Sequence, residues 1–200
     1  AGWKANTITL TWNSQGGSAV GNTSKVYASG AKVPMPASNP NRAGYSFKGW
    51  FTAASGGTQI TANTALPASN ATYHAQWTAN TIRTTWNVNG GKIDGNAGPF
   101  TRDTVYGSKT LGNAWDIWAE GRLTRPGYTF DGWYTAASGG TKVTQSTALP
   151  STNAAYWAHW KAKTITLEWD PAWRGVLGPE PGVLTDQVYS EGAKLAPPQS

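Results

Sequence analysis

The chain has 200 residues, a formal net charge of +6 at pH 7 and no cysteine. The lack of cysteine excludes disulfides and thiolate-bound metals, and no apolar run approaches the roughly 18 residues that a membrane helix requires, so no membrane insertion is expected. Its 12 Trp and 8 Tyr are the large side chains with which small domains can bury a core.

Charge is distributed unevenly along the chain. Residues 1–93 contain no Asp or Glu, residues 79–161 set eight basic residues against five acidic ones, and residues 162–200 are net negative. The basic residues are scattered singly rather than in runs. Scattered cations favour a solvated face that attracts anionic polymers over a specific nucleic-acid site, which needs clustered cations with interleaved aromatic residues.

The first predicted element is a strand over residues 7–12, TITLTW, in which polar and apolar side chains alternate. This period of two is typical of a strand with one buried face. We therefore expect Ile8, Leu10 and Trp12 to point inward. The pattern returns later in the chain, at 81–86 and 164–169.

Three further strands follow the first, with a connection and a turn between them. A second strand is predicted near 24–27, and a connection rich in Pro and Gly covers 34–44. A strand at 48–51 then precedes a Gly-Gly-Thr turn, and a closing strand spans 71–77. Corresponding strands are predicted at 103–106, 131–134, 155–160 and 186–189.

These elements occur in copies. Residues 45–58, YSFKGWFTAASGGT, return at 128–141 as YTFDGWYTAASGGT, and the same offset of 83 positions separates Trp77 from Trp160. Such a repeat is longer than the roughly 20 to 45 residues of solenoid units. Each copy is therefore predicted to be a small domain of its own.

The repeats divide the chain into four predicted segments. They also indicate that the chain is part of a longer protein. Its first residues match the end of a copy, and its last copy stops before any GWY sequence. The predicted segments are 1–5, the last-strand remnant of a preceding repeat; 6–78, repeat 1; 79–161, repeat 2 with loop insertions; and 162–200, the first half of a truncated third repeat.

The landmarks follow one order twice: a strand ending in W-N-x-x-G-G, then V-Y-x-x-G-x-K, P-G-Y-x-F-x-G-W-Y-T, a G-G-T turn and Y-x-A-x-W. This order resembles the Listeria-Bacteroides repeat, the B-repeat of internalin-type surface proteins. The resemblance covers essentially the whole chain. Departures are an insertion that carries Trp115 and Trp118, and the loop at 170–181.

The resemblance implies a mainly β (α+β) fold of tandem, small, β-grasp-like (ubiquitin-like) units in an elongated array. Each unit would have about four strands and a short helical or irregular crossing. The resemblance also implies an extracellular location, on the bacterial cell surface or secreted, and a use as a spacer or adhesive stalk.

The sequence offers few parts for catalysis. His74 aligns with Trp157 and His159 with Gln76, so no histidine recurs, and the first copy has no carboxylate to form a Ser-His-Asp triad or a glycosidase pair. Gly139-Gly140-Thr141-Lys142 lacks the spacing of a phosphate-binding loop. We predict no enzyme activity and no catalytic, cofactor-binding or metal-binding residue.

One covalent modification stays open from the sequence alone. An intramolecular Lys–Asn cross-link needs a nearby carboxyl group to move protons. In the second copy, a lysine could pair with an Asn beside an acidic residue. The lysines concerned are Lys92, Lys109 and Lys142, and the acidic residues are Asp94, Asp103 and Asp131.

The tryptophans form two groups. Those that recur at equivalent positions are predicted to be structural core: Trp12, Trp50, Trp77, Trp86, Trp133 and Trp160. The others either cover the core or contact a ligand, since exposed aromatic rings stack on sugars and anchor protein contacts. These candidate ligand-contact residues are Trp115, Trp118, Trp157 and Trp173.

Three functions are compatible with the sequence. The leading hypothesis is a non-enzymatic stalk or spacer segment of a bacterial surface protein that contributes to adhesion. The second is a binding module that uses exposed Trp residues and basic faces to bind a glycan, a cell-wall polymer or a host surface protein. The third is self-association into a filament or surface layer, since unpaired strand edges can pair between chains.

Overall fold

The computed structural model describes residues 7–26, 30–107, 109–114, 121–167 and 187–190. Within these ranges the regular secondary structure is almost entirely β, which confirms the predicted mainly β fold. The strands are β1 (Thr7–Asn13), β2 (Thr23–Val26), β3 (Tyr45–Phe51), β4 (Gln59–Ile60), β5 (Ala71–Ala79), β6 (Thr81–Asn87), β7 (Lys92–Ile93), β8 (Phe100–Val105), β9 (Leu123–Thr124), β10 (Tyr128–Tyr134), β11 (Lys142–Val143), β12 (Ala154–Ala162), β13 (Thr164–Leu167) and β14 (Gln187–Ser190), and the helix is α1 (Leu111–Ala114).

The chain divides into two compact units. Unit 1 holds Ala1–Arg83, Asp103–Lys109 and Ala148–Ala154, and unit 2 holds Thr84–Arg102, Thr110–Thr147 and Ala155–Ser200. Each unit combines segments that are distant in sequence, and the boundary between the units falls inside strand β6. The division therefore does not test the predicted repeat boundaries. Those boundaries stay predictions.

The first copy forms a mixed five-stranded sheet in the order β2-β1-β5-β3-β4. Strands β1 and β5 are parallel, with Trp12 opposite Tyr73, and the other neighbours are antiparallel. The first and last strands thus lie side by side in the middle of the sheet, and the connection over 30–44 is irregular. The sheet has five strands rather than the predicted four because Gln59–Ile60 adds a two-residue edge strand.

The second copy repeats this sheet in the order β11-β10-β12-β6-β8. The registers of β10 with β11 and β12 match those of β3 with β4 and β5, and both copies carry a bulge, between Phe47 and Gly49 and between Phe130 and Gly132. A further two-stranded ladder, β7 with β9, has no equivalent among the described elements of the first copy.

The core of each sheet is a tryptophan pair. In the first copy Trp12 and Trp50 are buried and pack edge to face, with ring centroids 4.9 Å apart, and Tyr73 lies against Trp12. Buried aromatic rings of this kind remove much surface from water for few residues. The equivalent residues of the second copy are Trp86, Trp133 and Tyr156, with the two indole rings 5.1 Å apart.

A third tryptophan in each copy packs at the edge of the core, against a turn that contains two glycines. Gln15 and Gly16 both have positive φ, 50° and 85°, which is typical of a type I′ turn. Trp77 is partly buried and its indole N–H donates to the carbonyl oxygen of Ser14 at 3.0 Å. A Cβ on Gly17 would lie 2.5 Å from the Trp77 ring. The W-N-x-x-G-G motif therefore needs its first glycine for backbone conformation and its second for space.

Candidate functional site

Trp157 is the one predicted ligand-contact residue within the described ranges; Trp115, Trp118 and Trp173 lie outside them. Trp157 is half-buried on β12, opposite Tyr134. With the turn at 87–92, residues 97–99 and Ala137 it lines a shallow cavity of about 410 Å³. Its role as a ligand contact stays a prediction.

The two histidines occupy different structural positions. Gln15 Nε2 donates to His74 Nδ1 at 2.9 Å, and His159 Nε2 donates to the carbonyl oxygen of Ala136 at the same distance. His159 also stacks on Tyr134, with ring centroids 3.9 Å apart. Among the described residues, no group of three or more His, Cys, Asp or Glu side chains could hold a metal ion.

Three carboxylates of the second copy are paired on the surface. Arg122 donates to Asp94 at 2.6 Å, and Arg83 donates to Asp103 at 2.8 Å, and these hydrogen bonds hold the pKa of each carboxyl group below its usual value. Such exposed pairs carry modest energy.

The third carboxylate, Asp131, accepts a hydrogen bond from Tyr134 Oη at 2.6 Å and lies near the amines of Lys142 and Lys161. The tyrosine hydrogen bond, followed by the two lysines, lowers the pKa of Asp131, and the carboxylate raises the pKa of Tyr134. Lys142 also donates to the Asp131 carbonyl oxygen and is half-exposed. The side chain of Lys142 thus contacts Asp131 and the Tyr134 ring, and the Lys–Asn cross-link that the sequence left open stays untested.

A concave surface of unit 2 combines cations with aromatic rings. We call it the Trp160 pocket; it has a volume of about 600 Å³. It lies beside the glycine turn of the second copy, where Trp160 donates its indole N–H to the carbonyl oxygen of Val88 at 3.0 Å. Its charged and aromatic side chains are Lys92, Arg125, Tyr128, Phe130, Trp160 and Lys163, and its described lining contains no Asp or Glu.

Arg125 is fixed in place within this pocket. Its guanidinium carbon lies 3.9 Å from the centre of the Tyr128 ring, and its Nη1 donates to the carbonyl oxygen of Asn89 at 3.3 Å. The first copy has the same stacking, with Arg42 4.0 Å from the Tyr45 ring. The R-x-G-Y motif therefore encodes an arginine clamped on a tyrosine face.

One corner of the first copy, formed by Gly44 and Tyr45, contacts the aromatic ring of Tyr106. Within unit 1, Tyr106 packs edge to face on Tyr45 with centroids 5.4 Å apart, and its backbone N–H donates to the carbonyl oxygen of Asn80 at 2.8 Å. A Cβ on Gly44 would overlap the Tyr106 ring. Gly44, which has φ of 78°, thus provides both the turn and the room for this contact.

Neither the Trp160 pocket nor the packing of Tyr106 on Tyr45 was predicted from the sequence. The binding hypothesis named Trp115, Trp118, Trp157 and Trp173 together with basic faces in general, whereas the Trp160 pocket is built from R-P-G-Y, the closing tryptophan and two lysines. The available signal was the exchange between copies: Lys92 and Lys163 stand where the first copy has Ser18 and Asn80. The V-Y sequence at 105–106 predicted a strand, but it did not predict that the Tyr106 ring packs against Gly44 and Tyr45 of the first copy.

Comparison with known proteins shows the family. The model of the Listeria-Bacteroides repeat domain matches residues 9–76 and 83–155, and this chain belongs to that family. Internalin H of Listeria monocytogenes is 34% identical over 121 residues, which are 60% of this chain and 20% of the relative.

A protein of Evansella cellulosilytica described as a candidate membrane protein is 30% identical over 139 residues, or 70% of this chain and 19% of the relative. The chain thus spans about a fifth of the length of these two relatives. Within the part of the chain that the structure describes, no helix is long and apolar enough to cross a bilayer.

Proposed function

We propose that this chain is a non-enzymatic repeat segment of a bacterial cell-surface or secreted protein, where it acts as a spacer and contributes to adhesion. The family and the similarity to Internalin H support the surface setting.

The observation that carries the spacer role is the connection between copies. Strand β5 ends at Ala79 and β6 begins at Thr81, so Asn80 alone separates them. Both backbone groups of Asn80 are used: its N–H donates to Gly44 at 2.9 Å, and its carbonyl oxygen accepts from Tyr106. A connecting residue held in this way has little freedom to rotate, whereas a flexible linker would leave its backbone to water.

Backbone ¹⁵N relaxation of the intact chain tests the spacer role. We expect amides of β1, β3 and β5 to report the same overall correlation time as those of β6, β10 and β12, and Asn80 to show no excess motion on the picosecond to nanosecond timescale. Two different correlation times, with a mobile Asn80, would exclude the spacer role. Adhesion would then need another explanation.

A further inference from the structure

The Trp160 pocket has the composition of a site for an anionic ligand. Three cations, Lys92, Arg125 and Lys163, border it, and its described lining carries no acidic residue that would neutralise them. Its volume of about 600 Å³ lies within the range of about 300 to 1,000 Å³ typical of small-ligand sites. The charge excess predicts a ligand with acidic groups.

The cations differ in how they could bind. Arg125 is held by the Tyr128 ring and the Asn89 carbonyl oxygen, so little side-chain entropy is lost when its remaining N–H groups bind a carboxylate or sulfate. Lys92 on β7 and Lys163 between β12 and β13 are exposed point charges. The pocket therefore offers one guanidinium group in a fixed orientation and two ammonium groups whose positions can adjust to the ligand.

The aromatic residues provide an apolar contact surface. Phe130 is 36% exposed and packs edge to face with Trp160 at 5.5 Å. The Trp160 N–H is already bonded to Val88, so this indole offers its hydrocarbon surface rather than a polar group. A pyranose ring has C–H groups on its faces that pack on such surfaces, whereas a bare inorganic anion gains nothing from them.

The equivalent surface of the first copy keeps the arginine and the aromatic rings but lacks the two lysines. Ser18 and Asn80 replace the two lysines, and the Asn80 side chain accepts a hydrogen bond from Ser46 at 2.6 Å. The extra cations thus occur in the copy that forms the Trp160 pocket.

We propose that the Trp160 pocket binds an acidic oligosaccharide, with sugar rings on Phe130 and Trp160 and acidic groups on Lys92, Arg125 and Lys163. The inference deepens the adhesive part of the proposed function and rests on it for its biological setting. Carboxylated and sulfated sugars share the required chemistry. The pocket and the spacer role can be tested separately, because backbone ¹⁵N relaxation measures the spacer role without any ligand.

The test is an NMR titration of the intact chain with two probes, tetragalacturonate and a heparin tetrasaccharide. We expect saturable shifts centred on residues 123–130 and 160–163, with either probe. The fully methyl-esterified tetragalacturonate, which keeps the sugar rings and loses the charge, and hexaglutamate, which keeps the charge and lacks the rings, should bind at least about tenfold more weakly.

Matched variants separate the pocket from net charge. Lys92→Ser with Lys163→Asn installs the residues of the first copy, and we expect at least a tenfold loss of affinity. Lys32→Ser with Lys48→Asn removes the same number of exposed cations from the first copy and should change affinity less than twofold at moderate salt. Equal losses in the two variants, equal binding of hexaglutamate, shifts outside the pocket, or no binding of either sugar would each overturn the proposal.

Discussion

At the scale of single residues, two glycines in sequence have separate tasks. In the second copy Gly90 has φ of 86°, whereas Gly91 lies directly beneath the Trp160 ring. The sequence identified a Gly-Gly turn, because turn chemistry is local. It could not identify the indole that occupies the space above Gly91, since Trp160 is 69 positions away along the chain.

Substituting Gly91 tests this steric requirement. A Cβ there would overlap the Trp160 ring, so Gly91→Ala should lower the free energy of unfolding by about 1–3 kcal/mol through overpacking. Chemical denaturation with urea measures the change. Gly21→Ala is the control, since a Cβ at Gly21 meets nothing within 4 Å, and it should change stability by less than about 0.5 kcal/mol. Similar effects at both positions would contradict the steric account.

The alternation of polar and apolar residues predicted the buried face of β1 well. Leu10 and Trp12 are buried, as expected, and Ile8 packs against the core at its edge. The equivalent of Leu10 is Thr84, which is fully buried and accepts a hydrogen bond from the Trp86 indole N–H at 3.1 Å. A threonine inside a core is not predictable from periodicity, because its burial depends on a partner that only the fold supplies.

At the scale of elements, strands with a clear period of two were predicted from the sequence and short ladders were not. The predicted strands at 48–51 and 71–77 correspond to β3 and β5, which extend somewhat further. The two-residue strands β4 and β7 have no period to detect. The parallel pairing of β1 with β5 joins residues about 60 positions apart, so no local pattern specifies it.

Tyr106 should stabilise the corner of the first copy through its ring. We expect Tyr106→Ala to lower the free energy of opening around Asn80 by about 1–3 kcal/mol, because a partly buried aromatic contact is lost. Native-state hydrogen exchange at the Asn80 and Tyr106 amides measures this.

The matched control is Tyr106→Phe, which keeps the ring on Tyr45 and Gly44 and should retain protection at both amides. If the alanine and phenylalanine variants exchanged alike, the ring contact would have no energetic role at this junction.

At the scale of the whole molecule, the two copies should respond differently to acid. The pKa values of Asp94, Asp103 and Asp131 are lowered by hydrogen bonds from Arg122, Arg83 and Tyr134. A lowered folded-state pKa contributes stability that is present above the unfolded value, near 3.9, and is lost as pH falls through the folded value. Residues 1–93 have no carboxylate side chain to contribute such a term.

Urea unfolding followed by resolved NMR signals at pH 5 and pH 2.5 tests this difference. We expect the midpoint for signals of β10 and β12 to fall on acidification, and the midpoint for β3 and β5 to fall less. Asp131→Asn should reduce the loss in the second copy, because the titrating group is removed. Equal falls in both copies would contradict the assignment of acid sensitivity to these pairs.

Each copy has its own tryptophan core, and hydrogen exchange of a variant that lacks one core indole tests their independence most directly. Trp86→Ala removes a fully buried indole and should cost about 3–5 kcal/mol. Hydrogen exchange of the intact variant should show protection lost in β6, β10 and β12 and retained in β1, β3 and β5. Loss of protection in all six strands together would contradict the independence of the two cores, because the copies would then form one cooperative core.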